Sequence, residues 1–196
     1  MLAVDCSDSV DEAEFRLQIE GLAEAFESPD IAQATQAGPN GRIAIAMLEW
    51  SDAGNAHTVV PWTLVGDQGS ARELAATFRA VRRVNRGVTS LSGALVASMS
   101  LQASLPARTG RRVIDISTDG TNNNGPRPDE IRDRAVDLGI VVNGLTILTD
   151  VPYLDAYFAN HVKGGKGSFV IKANDYGAYH DAIKRKLLRE IAQPIV

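Results

Sequence analysis

The chain has 196 residues, 44% of them hydrophobic and 22% charged, which suits a globular fold with one sizeable core. Its net charge of -4, from 20 basic and 24 acidic residues, excludes the electrostatic footprint of a nucleic-acid binder. No stretch is long and apolar enough to span a bilayer as a helix, and the single cysteine, Cys6, excludes an internal disulfide.

Residues 2–5 read as a buried strand that opens the chain with no flanking turn. That start suggests a processed or truncated chain whose leading segment was removed, an export signal being one candidate for it. Asp5-Cys6-Ser7-Asp8-Ser9 follows on the turn into a helix. The pattern of a carboxylate and two hydroxyls is at once a helix cap and a set of hard oxygen ligands for a hard cation. Cys6 reads as a small buried side chain and Asp8 as an exposed turn carboxylate.

From Asp11 to about Phe26, Phe15, Ile19, Leu22, Ala23 and Phe26 recur at helical spacing. Ser28-Pro29 ends that helix, and residues 30–40 hold a short segment and a Gly38-Pro39-Asn40-Gly41 turn. Arg42 to Glu49 is a second strand. A turn at Ser51–Ala56 leads back through a third, antiparallel strand over Thr58–Leu64. Pro61 places that strand at the sheet edge, where a missing N–H does not break the ladder. A helix over 70–82 follows, with Ser70 as its cap.

Asn85 to Ser90 is a polar loop before a helix from Ser92 to Leu105, closed by Pro106. Arg111 to Ser117 has the apolar run of a central parallel strand. The polar loop 118–125 then precedes a helix that opens at Pro128 and ends at Leu138 with Gly139 as its stop. Ile140 to Leu148 is a buried strand, Val151 to Val162 a helix, Ser168 to Ile171 a last strand, and Asp175 caps a final helix to Ile191. No repeat or linker divides the chain, so it reads as one domain over 1–196.

Alternating strands and helices predict an α/β, three-layer, doubly wound fold. Its mostly parallel six-stranded sheet carries one antiparallel edge strand. Tracing the chain direction brings three loops to one rim, because the antiparallel detour reverses the following helix. Asp5, Ser7 and Ser9 arrive from the first strand, Thr89 from the polar loop, and Asp119 from the central strand. Ligands in such sheets bind outside the carboxyl ends of the strands. The same tracing places both termini at the opposite edge.

These segments resemble the von Willebrand factor type A (vWA) domain: Asp5-x-Ser7-x-Ser9, Gly87-Val88-Thr89 leading to Gly93-Ala94-Leu95, and Ser117-Thr118-Asp119-Gly120. They match the three parts of its metal-ion-dependent adhesion site, and the resemblance runs the length of the chain. Further stretches are similar to a bacterial family of such domains with no established function. Among them are Gly41-Arg42-Ile43-Ala44, Glu49-Trp50, Val60-Pro61-Trp62, Asn143-Gly144-Leu145 and Lys186-Leu187 with Glu190-Ile191-Ala192.

The resemblance implies that Ser7 and Ser9 ligate Mg2+ directly, with Mn2+ or Ca2+ as substitutes. Thr89 would bind directly or through water, and Asp5 and Asp119 mainly through bound water. Mg2+ takes six oxygens at about 2.0–2.1 Å, and a shell rich in neutral hydroxyls leaves it under-neutralised. A protein partner's Asp or Glu would complete it. Export signals are common in the family, which implies a periplasmic or extracellular setting.

The competing enzyme reading makes Asp5 the nucleophile of a Mg2+-dependent phosphohydrolase or phosphotransferase. That chemistry needs an acid/base group, normally an aspartate two residues on, where this chain has Ser7. A scaffold with a vestigial site is the third reading, against which the complete hydroxyl set counts. His57, His161 and His180 share no metal-ligand spacing. Trp50 and Trp62 read as structural residues flanking the hairpin, and Glu49 as an acceptor for loop N–H groups. Arg82, Arg83 and Arg86 are solvated charges placed to steer an acidic partner. Gly164-Gly165-Lys166-Gly167 lacks the P-loop pattern and reads as a turn.

Overall fold

The computed structural model describes residues 1–105 and 110–192. Its strands are β1 (Leu2–Asp5), β2 (Ile43–Trp50), β3 (Ala56–Val65), β4 (Arg112–Thr118), β5 (Ile140–Ile147) and β6 (Val170–Ala173). Its helices are α1 (Glu12–Glu27), α2 (Pro29–Ala37), α3 (Gln68–Ala80), α4 (Leu91–Ala103), α5 (Pro128–Asp137), α6 (Leu154–His161) and α7 (Tyr179–Ala192). The six strands form one sheet in the order β3-β2-β1-β4-β5-β6. All neighbours are parallel except β2 and β3. This is the predicted mixed sheet, with the antiparallel strand at its edge.

Side chains on a strand alternate between the two faces, and β1 shows how both become core. Leu2 and Val4 join Phe15, Ile19, Leu22, Phe26, Phe78, Ile183 and Leu187 beneath α1, α3 and α7. Met1 and Ala3 join Leu48, Trp50, Leu95, Ile116, Ile131 and Phe158 beneath α4, α5 and α6. A strand buried on both sides has no polar alternation, which is why β1, β4 and β5 read as apolar runs.

Local details differ from the sequence reading. The segment after Ser28 is a nine-residue helix, α2. Pro29 both stops α1 and starts α2, because its fixed φ suits a first helical position. Asp67, not Ser70, is the N-cap of α3; its side chain accepts from Ser70 N, and Ser70 closes the capping box. Asp175 caps a 3-10 turn, Tyr176–Ala178, that runs into α7. Trp50 and Trp62 share the α4 face without sitting opposite each other. Trp50 pairs with Ala56, and Trp62 lies where the β2–β3 register shifts. There its indole Nε1 donates to Leu101 O at 3.1 Å. The Pro106 stop falls outside the described residues.

The chain start lies at the lower edge, as traced: the Met1 amino group donates to Val113 O at 3.1 Å, near the beginning of β4. The last described turn of α7 is there too, where Glu190 O accepts from Arg111 Nη1 at 2.5 Å. Gly144 on β5 shows how tightly α6 packs on the sheet. A Cβ added there would stand 2.3 Å from Phe158 Cδ1. Gly144→Ala is therefore expected to destabilise the fold by about 1–3 kcal/mol through overpacking. Urea unfolding should show an earlier midpoint with an unchanged slope, and an unchanged midpoint would mean that the Phe158 ring yields freely.

Candidate metal centre

β1 and β4 are parallel neighbours, so their upper ends deliver Asp5 and Asp119 side by side. Both are buried, at 0% and 1% exposure. Neither takes part in an ion pair among the described residues. Their partners are neutral. Asp5 accepts the Ser7 backbone N–H at 2.7 Å and the Thr118 hydroxyl. Asp119 accepts the Ser9 hydroxyl at 2.8 Å through Oδ1 and the Tyr176 hydroxyl at 3.0 Å through Oδ2.

The hydroxyls complete a chain across the three loops. Thr89 Oγ1 donates to Ser7 Oγ at 3.2 Å, and Ser7 Oγ lies 3.2 Å from Ser9 Oγ, which reaches Asp119. All five residues singled out in the sequence thus meet at one rim. Ser7 and Thr89 are buried, while Ser9 is exposed and marks the opening.

Two buried carboxylates without a counter-cation are electrostatically costly. Burial pushes the Asp5 carboxyl up to about 7, and nearby Asp119 adds to the rise. Burial also raises Asp119, with the Ser9 and Tyr176 hydrogen bonds opposing it. No cluster of three or more His, Cys, Asp or Glu is found among the described residues. The donors here are instead three hydroxyls and two acids, an oxygen-only set that suits a hard divalent ion.

The loops are held by residues with no place in the motif. Asn123 Oδ1 accepts Thr89 N at 2.9 Å, which ties the Asp119 loop to the Thr89 loop. Asp8 N donates to Gly87 O at 2.7 Å, and Asp8 Oδ1 accepts Gly87 N at 3.1 Å, which ties the first loop to the second. Gly87 has φ 129° and sits against Asp52, which accepts the next N–H, that of Val88, at 2.6 Å. A side chain would meet both objections there.

Arg83 is a brace rather than a steering charge. Its Nη2 donates to Cys6 O and Ser7 O, each at 2.9 Å, and its Nε to Asn85 O at 3.1 Å. Arg82 and Arg86 remain exposed. Glu49 is buried and accepts Val84 N at 2.8 Å, as expected of a loop acceptor. Cys6 is fully buried, and burial raises its thiol pKa, which suits a packing role. Tyr176 is the site residue that sequence reasoning missed. It lies 57 residues from Asp119 with no local motif, and only its position after the capping Asp175 marks a chain turn there.

A family model for a protein of unknown function (DUF1194) matches residues 1–195. The chain belongs to the DUF1194 family. No curated protein matches the sequence. Solved structures show that this DUF1194 chain has the vWA fold. Proximal thread matrix protein 1 from the mussel byssus superposes with TM-score 0.70 at 16% identity, over 98% of this chain and 46% of that one. This chain thus spans about half the length of that protein, which has also been solved with a zinc-occupied MIDAS motif. Manganese-loaded TRAP protein of Plasmodium vivax gives TM-score 0.58 at 15% identity, over 95% and 71% of the two chains. The SpRpn10 VWA domain gives 0.63 at 11%, over 93% and 92%.

The raised Asp5 pKa fixes a pH dependence for the metal-free DUF1194 protein. An acid whose folded pKa exceeds its unfolded value holds an extra proton in the folded state. Its contribution is full below pH 4 and is lost as pH rises through about 7. In chelator, Asp5→Asn should therefore gain on the parent chain by roughly 2–4 kcal/mol between pH 4 and pH 8. Parallel urea titrations at the two pH values measure this, and a pH-independent difference would contradict it.

Proposed function

We propose that the chain is a single vWA-type binding module that holds Mg2+, with Mn2+ or Ca2+ as substitutes, at Asp5, Ser7, Ser9, Thr89 and Asp119. It would bind a protein partner through that partner's Asp or Glu carboxylate. The observation that carries this reading is the pair of buried, unneutralised carboxylates joined by the hydroxyl chain from Thr89 to Ser9. A divalent ion supplies the missing positive charge. The hydroxyls donate their lone pairs and remain neutral, so the bound ion keeps a net attraction for one more acid group. Val88, 47% exposed beside Thr89, offers an apolar contact at the same rim.

The related structures support the metal in kind, since one neighbour has been solved with zinc in its MIDAS motif and another with manganese. They are a byssus thread matrix protein and TRAP, which favours binding over turnover and a setting outside the cytoplasm. The phosphotransfer reading has a specific weakness. Ser7 occupies the acid/base position, and its backbone and hydroxyl are already committed to Asp5, Ser9 and Thr89.

Calorimetric titration with Mg2+, Mn2+ and Ca2+ tests the metal. Ser7→Ala and Ser9→Ala should each weaken binding by about 10–100-fold or more, a range that outer-shell changes alone can reach. Absence of heat with the parent chain, or unchanged affinity in both variants, would end the proposal. Partner capture should be lost in chelator and in Ser9→Ala. Hydrolysis of small phosphate esters abolished by Asp5→Asn would instead establish the enzyme.

A further inference from the structure

At the opposite end of the sheet lies a second group of buried charges, independent of the metal proposal. Lys186 on α7 is fully buried, and its Nζ is 2.5 Å from Asp115 Oδ1 on β4 and 2.7 Å from Glu190 Oε1. Asp115 is 3% exposed, and its Oδ2 has no hydrogen-bond partner. Glu190 Oε1 also accepts Asn143 Nδ2 at 2.7 Å, which fixes that carboxylate beside the amine. Phe169 closes one side, with its ring centroid 5.7 Å from Lys186 Nζ. The Met1 amino group acts on Asp115 and Glu190 electrostatically.

An ordinary ion pair accounts poorly for this arrangement. Removing the Lys186 ammonium and the Asp115 carboxylate from water is expensive, and a carboxylate oxygen left without a donor adds to the cost. The amine of Lys186 and the carboxyl group of Asp115 are thus in direct contact away from water. Those are the reactants of an amide condensation, held at contact distance with a carboxylate alongside. Such positioning replaces a bimolecular encounter and its solvent reorganisation.

We propose that Lys186 and Asp115 join in an intramolecular isopeptide bond, with Glu190 as the proton carrier. Lys186 Nζ, as the free amine, attacks Asp115 Cγ of the protonated side chain. The new N–C bond forms as the carbonyl π pair moves onto oxygen. Glu190 Oε1 takes a proton from the nitrogen and returns it to the departing hydroxyl, so the C–O bond breaks and one water leaves. The product is a secondary amide and Glu190 is regenerated. No oxidant or other co-reactant is consumed. The new amide carries no charge and has one buried oxygen fewer, Glu190 keeps its carboxylate beside Asn143 Nδ2, and the link anchors α7 to the central strand covalently.

The test is intact mass of the folded, purified chain after incubation at neutral pH, read under denaturing conditions. The expected mass is that of the sequence less one water. Trypsin should release a branched peptide joining the segment after Arg112 to the one after Arg185, uncleaved at Lys186. Lys186→Met and Asp115→Ala should stay at full sequence mass. Glu190→Gln, which keeps the size of the side chain and an acceptor oxygen, should form the link about 100-fold more slowly. A folded parent chain that stays at full mass overturns the proposal and leaves a buried ion pair. Water loss that maps to Asp119-Gly120, or that persists in Lys186→Met, overturns it as well. Because the parent chain alone gives the decisive reading, a variant that fails to fold does not protect the idea.

Discussion

Two acid groups buried at the upper ends of adjacent parallel strands set the conditions for the whole rim. Asp5 and Asp119 are brought together by the β1–β4 pairing, and the core beneath them keeps water out. Like charges in such a place are tolerated only with strong donors or a bound cation. The chain surrounds them with hydroxyls and N–H groups, from Thr118, Ser9, Tyr176 and the Ser7 backbone. Neutral donors lessen the repulsion without ending it.

That requirement explains how much of the upper surface is devoted to bracing. The Thr89 loop has no regular structure of its own and is hung from its neighbours by side-chain acceptors: Asn123, Asp8 and Asp52. Arg83 grips the carbonyls of Cys6 and Ser7 from behind. For the proposed ligation, the hydroxyl oxygens must be held in fixed places, since Mg2+ tolerates little deviation from octahedral geometry. Around the Thr89 loop the braces are short side chains without positive charge, and the cationic brace, Arg83, meets backbone carbonyls rather than the hydroxyls.

The lower edge answers a similar problem differently. There buried Asp115 and half-buried Glu190 have Lys186 between them, so the group that answers the acids belongs to the chain itself. The two ends of one sheet therefore differ: the lower acids face an amine of the same chain, and the upper pair faces only neutral donors.

The sequence by itself determined the layering, the antiparallel edge and the meeting of Asp5, Ser7, Ser9, Thr89 and Asp119. These follow from local periodicity, from Pro61 at an edge and from the direction of each element, all of which are encoded within a few residues. It also predicted Glu49 as a loop acceptor. It did not disclose α2, since Pro29 reads equally as a stop and as a start. Nor did it disclose Tyr176 on Asp119, Arg83 behind Ser7, or Lys186 against Asp115. Those contacts join residues 57, 76 and 71 positions apart. Their partners share neither a turn nor a period, and only the packing of the finished layers decides which side chains meet.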